Sequence, residues 1–173
     1  MTKKAFTLLE IMLVITIMAL IMVVSISSLG LGRTKNNLKT SQREVTSAIR
    51  LAQSYALQGK LAPEGKAPCG FGFRFKDAGS YEIFYILPSG SCDETNPTYT
   101  SGDRKSLESL DLKNGIALQG DLATAEIYFT VPHANAFGTS GANFSKKEII
   151  LKSPSGEETK KIIVSSSGEI TEE

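Results

Sequence analysis

Hydrophobic positions crowd the start of this chain and alternate with polar ones afterwards. Positions 6–31 hold 19 apolar residues and a single charge, Glu10, and the 22 residues at 11–32 carry no charge at all. As a helix, a run of that length spans about 30 Å and matches a bilayer core. The period then changes. Leu38, Val45, Ala48, Ile49, Ala52 and Ala56 recur at helical spacing, with Arg43, Glu44, Arg50 and Gln53 mostly away from them, which predicts an amphipathic continuation of the same helix. Gly59 supplies a stop and Pro63 follows. The helix expected over 6–58 is about 80 Å long if straight. It contains no proline, and Gly30 and Gly32 are its points of local flexibility.

Beyond Gly59 the pattern becomes that of strands. Gly70-Phe71-Gly72-Phe73-Arg74-Phe75 alternates strictly, and a turn at Asp77-Ala78-Gly79-Ser80 leads into a second strand over 81–87, together predicting a hairpin with the phenylalanines on its buried face. Leu110-Asp111-Leu112 and Ile116-Ala117-Leu118 flank Lys113-Asn114-Gly115, where Asn-Gly signals another hairpin. A strand is expected over 126–131, ended by Pro132, and strands over 147–152 and 160–165 flank Pro154-Ser155-Gly156-Glu157 as a last hairpin. Residues 88–106 and 133–145 read as loops, and no internal repeat is present. One long helix followed by antiparallel strands defines an α+β class, the helix packing its apolar stripe on a sheet.

Composition sharpens this picture mainly by exclusion. Nineteen Lys plus Arg stand against 18 Asp plus Glu in 173 residues, a balance that creates no general field for nucleic acid. Two cysteines, Cys69 and Cys92, and one histidine, His133, are too few for a conventional zinc or copper centre. His133 follows Pro132 with no serine or cysteine arranged beside it as a nucleophile. Ser89-Gly90-Ser91 and Ser165-Ser166-Ser167-Gly168 lack the nucleophile-elbow pattern, and no glycine-rich phosphate loop is found. Asp93, Glu94 and Asp103 fit no defined calcium loop and read as solvated charges. No catalytic residue, metal or cofactor is therefore expected.

The N-terminus carries the most specific signal. Lys3 and Lys4 precede the apolar run, while Arg33, Lys35 and Lys39 follow it, so the positive-inside rule does not orient the segment. Positions 1–4 followed by Ser25-Ile26-Ser27 would also suit a cleavable secretory signal. Against that stand the length of the run and Glu10 at its edge, an expensive charge to carry into a membrane. Thr7-Leu8-Leu9-Glu10 fits a capping box, which gives the glutamate a local purpose. Its alternative purpose is to be the counter-ion of a buried cation supplied by a second subunit.

The string Lys3-Lys4-Ala5-Phe6-Thr7-Leu8-Leu9-Glu10, followed by an unbroken apolar run, resembles the class III signal of bacterial type IV pilins and type II secretion pseudopilins. The resemblance implies cleavage between Ala5 and Phe6 by a prepilin peptidase, N-methylation of Phe6, and a pairing of Glu10 in one subunit with the Phe6 amine of its neighbour. This sequence departs from the family in having Ala5 where glycine is usual before the cut. Processing removes two lysines, leaving 17 basic against 18 acidic side chains. Inside an apolar bundle an unpaired partner would be costly, so the pair would set register.

The layout is similar to the minor pseudopilins called general secretion pathway protein H and the related fimbrial T proteins, with two small sheets behind the helix. The implied division is a leader at 1–5, a transmembrane half-helix at 6–32, an amphipathic half at 33–58 and a β-rich domain at 59–173. The missing proline favours a straight, pseudopilin-like helix. The implied partners are other pilin or pseudopilin subunits, prepilin peptidase and an inner-membrane assembly platform. The implied location is the bacterial inner membrane, single-pass, with the domain outside the cytoplasm, serving protein export through a pseudopilus or a type IV pilus. There Cys69 and Cys92 would close a disulfide loop worth about 3 kcal/mol; otherwise they are two buried thiols. Some fimbrial T relatives bind DNA through a basic C-terminal region. Lys146, Lys147, Lys160 and Lys161 echo that, but the acidic ending Glu169-Ile170-Thr171-Glu172-Glu173 opposes it. A membrane-anchored binding protein is the competing class.

Overall fold

The computed structural model describes residues 8–88, 92–122 and 125–173, with side chains omitted over 23–31. It divides into two compact units, Met1–Asn36 and Asn37–Glu173. One helix, α1 (Leu8–Leu57), begins in the first and ends in the second. Its end is dictated by Gly59, which takes φ +58°. The Gly59 amide donates to the Ala56 carbonyl and that of Lys60 to Tyr55, the two bonds of a Schellman stop.

Within the second unit the strands form two antiparallel sheets. The larger contains β1 (Gly70–Phe75), β2 (Ser80–Ile86), β3 (Arg104–Asp111), β5 (Glu126–Thr130) and β6 (Ala136–Phe137), ordered β3-β2-β1-β5-β6. The smaller contains β4 (Ala117–Gln119), β7 (Lys146–Lys152), β8 (Thr159–Ser165) and β9 (Ile170–Glu172), ordered β4-β7-β8-β9. The α+β class and the first and last expected hairpins are thus present, as β1–β2 and β7–β8.

The Asn-Gly hairpin requires correction. Asn114 and Gly115 do turn, at φ +60° and +69°, but the flanking segments enter different sheets: β3 pairs with β2 and β4 with β7. The amides of Leu112 and Leu118 donate to the carbonyls of Gly79 and Ala78, so the turn crosses between sheets at the β1–β2 loop. Two supposed loops also contain structure. A 3₁₀ turn at Ser101–Asp103 leads into β3 from Arg104, and β6 with a 3₁₀ turn at Thr139–Gly141 lies within 133–145.

Two cores follow from this layout. The α1 stripe Leu38, Val45, Ile49, Ala52 and Ala56 packs with Phe71, Phe73 and Phe75 and with Ile149, Leu151, Ile162 and Val164 of the smaller sheet. Each large side chain buried there contributes about 1.5–3 kcal/mol before entropy. The other face of the larger sheet is buried too, under Phe84, Ile86, Tyr99, Tyr128 and Phe137. The glycines of β1 make room for it. A Cβ on Gly70 would collide with the Tyr128 ring, and one on Gly72 with the Phe84 ring and, at 2.8 Å, the Ile127 carbonyl oxygen.

Candidate assembly site

The first unit presents an apolar helix surface. From Leu8 to Met22 the large side chains are exposed, among them Leu8 at 78%, Met12 at 64% and Leu20 at 69%. This is the reverse of a soluble protein's economy, in which such residues are buried. Polar groups within the stretch are accommodated locally: the Thr16 hydroxyl lies 2.9 Å from the Met12 carbonyl and 2.8 Å from that of Leu13. Such bonding satisfies a hydroxyl without water. Glu10 is the acidic residue of the first turn. Ala5, Phe6 and Thr7, which carry the expected cleavage, methylation and capping roles, lie outside the described residues. Among the described residues no helix is long and apolar enough to cross a membrane. The expected transmembrane half, 6–32, is described with side chains only over 8–22 and at Gly32.

In the second unit Cys69 and Cys92 are joined in a disulfide. Cys69 immediately precedes β1 and its amide donates to the Ile86 carbonyl, so the bond fixes the segment that runs on to Tyr99. Beneath that segment lies a buried polar cluster that the sequence does not announce. The Glu126 carboxylate accepts from the Tyr99 hydroxyl at 2.8 Å and from Arg104 Nη2 at 3.0 Å, with both charged side chains under a tenth exposed. Burial, then the Glu126 charge, pushes the Tyr99 hydroxyl far above its ordinary range. Lys147 turns inward and its Nζ donates to the Glu126 carbonyl at 2.6 Å; burial pulls its ammonium below the usual lysine range. The nearest signal in the sequence was the alternation of β7, which places Lys147 on the face of Ile149 and Leu151.

The remaining sequence candidates are dispersed. His133 is exposed and its Nδ1 lies 2.7 Å from the Glu94 carboxylate. Asp93 accepts from the amides of Thr95 and Asn96, and Asp103 from the amide and hydroxyl of Thr100; these bonds hold both carboxyls below the usual carboxylate range. Among the described residues no group of three or more His, Cys, Asp or Glu could hold a metal ion. Of the four lysines compared with a DNA-binding region, Lys146 and Lys161 bracket Glu148 at 3.1 and 3.5 Å, and Lys147 is engaged inside.

Comparison with known proteins finds no matching family model, no matching curated protein and no matching solved structure.

Proposed function

We propose that this chain is a prepilin-like structural subunit, cut between Ala5 and Phe6, methylated at Phe6, and assembled into a type II secretion pseudopilus or a type IV pilus. The observation that carries the reading is one of order along the chain. The motif Lys3-Lys4-Ala5-Phe6-Thr7-Leu8-Leu9-Glu10 opens directly into a helix whose described side chains from Leu8 to Met22 are exposed and, Glu10 and Thr16 apart, apolar. A disulfide-bonded α+β unit follows. Such a helix needs cover, and lipid before assembly and neighbouring helices after it supply the same apolar surroundings. In this reading the 11–32 run crosses the inner membrane, the disulfide lies outside the cytoplasm, and the Glu10 carboxylate receives the Phe6 ammonium of the adjoining subunit. In this reading the work is mechanical rather than catalytic.

The test is intact mass and N-terminal sequencing of protein from membranes of cells that make a prepilin peptidase. A chain beginning at methylated Phe6 is expected; a start near Leu29 would make it an ordinary secreted protein. Glu10→Val should leave the chain in the membrane and abolish filaments. Filaments formed normally by that variant would remove the counter-ion role.

A further inference from the structure

An open groove of about 800 Å³ lies between α1 and the β2–β3 face, wholly within the second unit. Its floor is apolar, formed by Ala48 and Leu51 from the helix and Tyr81, Ile83 and Leu110 from the strands. Acidic side chains stand along the lining: Glu44 on the helix, Glu108 and Asp111 on β3. Arg43 and Lys113 also line it, and no salt bridge among the described residues ties any of these acids to a cation. Glu44 and Glu108 line the groove together with Tyr81, whose hydroxyl is raised above its ordinary range first by burial and then by these two charges.

A complementary surface lies on the other side of the exposed helix. Lys39 and Arg50 project from α1, both exposed, and Arg50 reaches the Ile170 carbonyl of β9 at 3.4 Å. This ridge therefore borders the smaller sheet, whereas the groove borders the larger one. These two cations also enter no salt bridge among the described residues. Lys and Arg suit such a groove because their aliphatic stems cover apolar floor while the charged heads stay at the rim.

We propose that the groove receives the basic helix ridge of a second copy of this chain, Lys39 reaching Glu108 and Asp111 across the contact. Groove and ridge are different patches of one molecule, so the contact is head-to-tail and leaves a free groove and a free ridge at its ends. Repeated, it generates a ring or an open helical filament rather than a closed two-fold dimer. This deepens the filament reading by naming the lateral contact between second units, and it rests on that reading only for the final geometry.

The test mixes unlabelled and ¹⁵N-labelled full chain, in detergent and in membranes, and joins lysines to carboxylates with a carbodiimide. The expected product is a mixed-isotope peptide linking Lys39 to Glu108 or Asp111, reduced at least tenfold in Glu108→Gln/Asp111→Asn. Glu108→Lys should abolish the link and Lys39→Glu added to it should restore it, with near-ultraviolet circular dichroism verifying the fold of each variant. Links confined to one isotope, or no recovery on swapping the charges, would overturn the proposal. N-terminal sequencing of the same samples separates the two readings. Absent links in a chain starting at Phe6 sink the groove alone, and mixed links in a chain starting at Leu29 keep the groove while sinking the processing.

Discussion

Arg104 and Glu126 allow the buried cluster to be tested by its energetics. Arg104→Met keeps a flexible chain of similar length in contact with the aromatic rings, since the guanidinium carbon now lies 5.5 Å from the Tyr99 ring centroid and 5.9 Å from that of Phe84. What it removes is the charge partner of a carboxylate whose side chain is only 5% exposed. Breaking a buried ion pair from one side costs about 3–5 kcal/mol, mostly through the stranded charge. Two features place the cost near 3: the Tyr99 hydroxyl still donates to Glu126, and Arg104 Nε has no hydrogen-bond partner among the described residues, so its burial already carries a penalty. With a urea dependence of about 2 kcal/mol per molar, the unfolding midpoint should fall by about 1.5 M. The chain has no tryptophan and five tyrosines, so tyrosine fluorescence reports the transition. Adding Glu126→Gln removes the stranded charge while an amide oxygen still accepts from Tyr99, and should recover more than half of the loss. A midpoint shift below about 0.5 M for Arg104→Met, or a double variant as unstable as the sum of its parts, would refute the coupling.

Three further outcomes follow from local geometry. Gly72→Ala forces a Cβ against the Phe84 ring and the Ile127 carbonyl and should cost about 3 kcal/mol in thermal unfolding, whereas Gly156→Ala, with open space around it and φ +75°, should cost about 1 kcal/mol. Replacing Cys69 and Cys92 by serine releases a crosslink spanning 23 positions; it should cost about 3 kcal/mol and increase binding of a hydrophobic dye, and an unchanged melting temperature under reducing conditions would contradict this. Glu64 is held down to about 2, first by Lys105 and also by its own backbone amide and the Tyr85 hydroxyl. Its folded pKa is depressed, so its stabilisation is complete above the unfolded value of about 4.5 and disappears as pH falls through about 2; the melting-temperature gap between wild type and Glu64→Gln should close over that window and stay constant above it.

The sequence announced local features well because each depends on nearby residues. The α1 stripe, the Gly59 stop and the β1–β2 and β7–β8 hairpins all follow from periodicity and turn chemistry within a few positions. The Asn114-Gly115 turn shows where that reasoning ends. Positive φ at both residues fixes the reversal of the chain, but whether its arms pair with each other depends on the distant Gly79 and Ala78 carbonyls. The second core was hidden for a related reason. Gly70 and Gly72 read as the bare side of an alternating strand, yet Tyr128 and Phe84 lie over them and all of β5 is buried on both faces. Arg104 and Glu126, 22 positions apart, carry no shared motif, and a buried ion pair between strands has no local periodicity to betray it. For the proposed assembly site the position is reversed: its decisive residues, Ala5 and Phe6, are legible only as sequence, because they lie outside the described residues.

The edges of the two sheets bear on how copies of this chain meet. A bare edge strand invites strand addition, which is indiscriminate and leads to aggregation. Here β9, at one edge of the smaller sheet, is only three residues long and is tied to α1 around its ends: Gln42 Nε2 donates to the Lys161 and Glu173 carbonyls, Gln53 Nε2 to Gly168, and Arg50 to Ile170. Gly168 suits this place because its φ is +81° and a Cβ there would crowd the Gln53 amide at 2.6 Å. The opposite edge, β4, is three residues long, and β6 two. The one long edge, β3, is interrupted where Ser106 and Glu108 pair with the adjacent Phe84 and Ile83, leaving Leu107 as an extra residue, and it carries Lys105, Glu108 and Asp111. A bulge and charged side chains are the devices that turn an edge away from strand pairing. Backbone-mediated association is thereby disfavoured, and contact between second units falls to side-chain surfaces, where charge placement rather than hydrogen-bond continuity selects the partner. The sheet edges are thus less suited to contact between copies than side-chain surfaces such as the proposed groove and basic ridge.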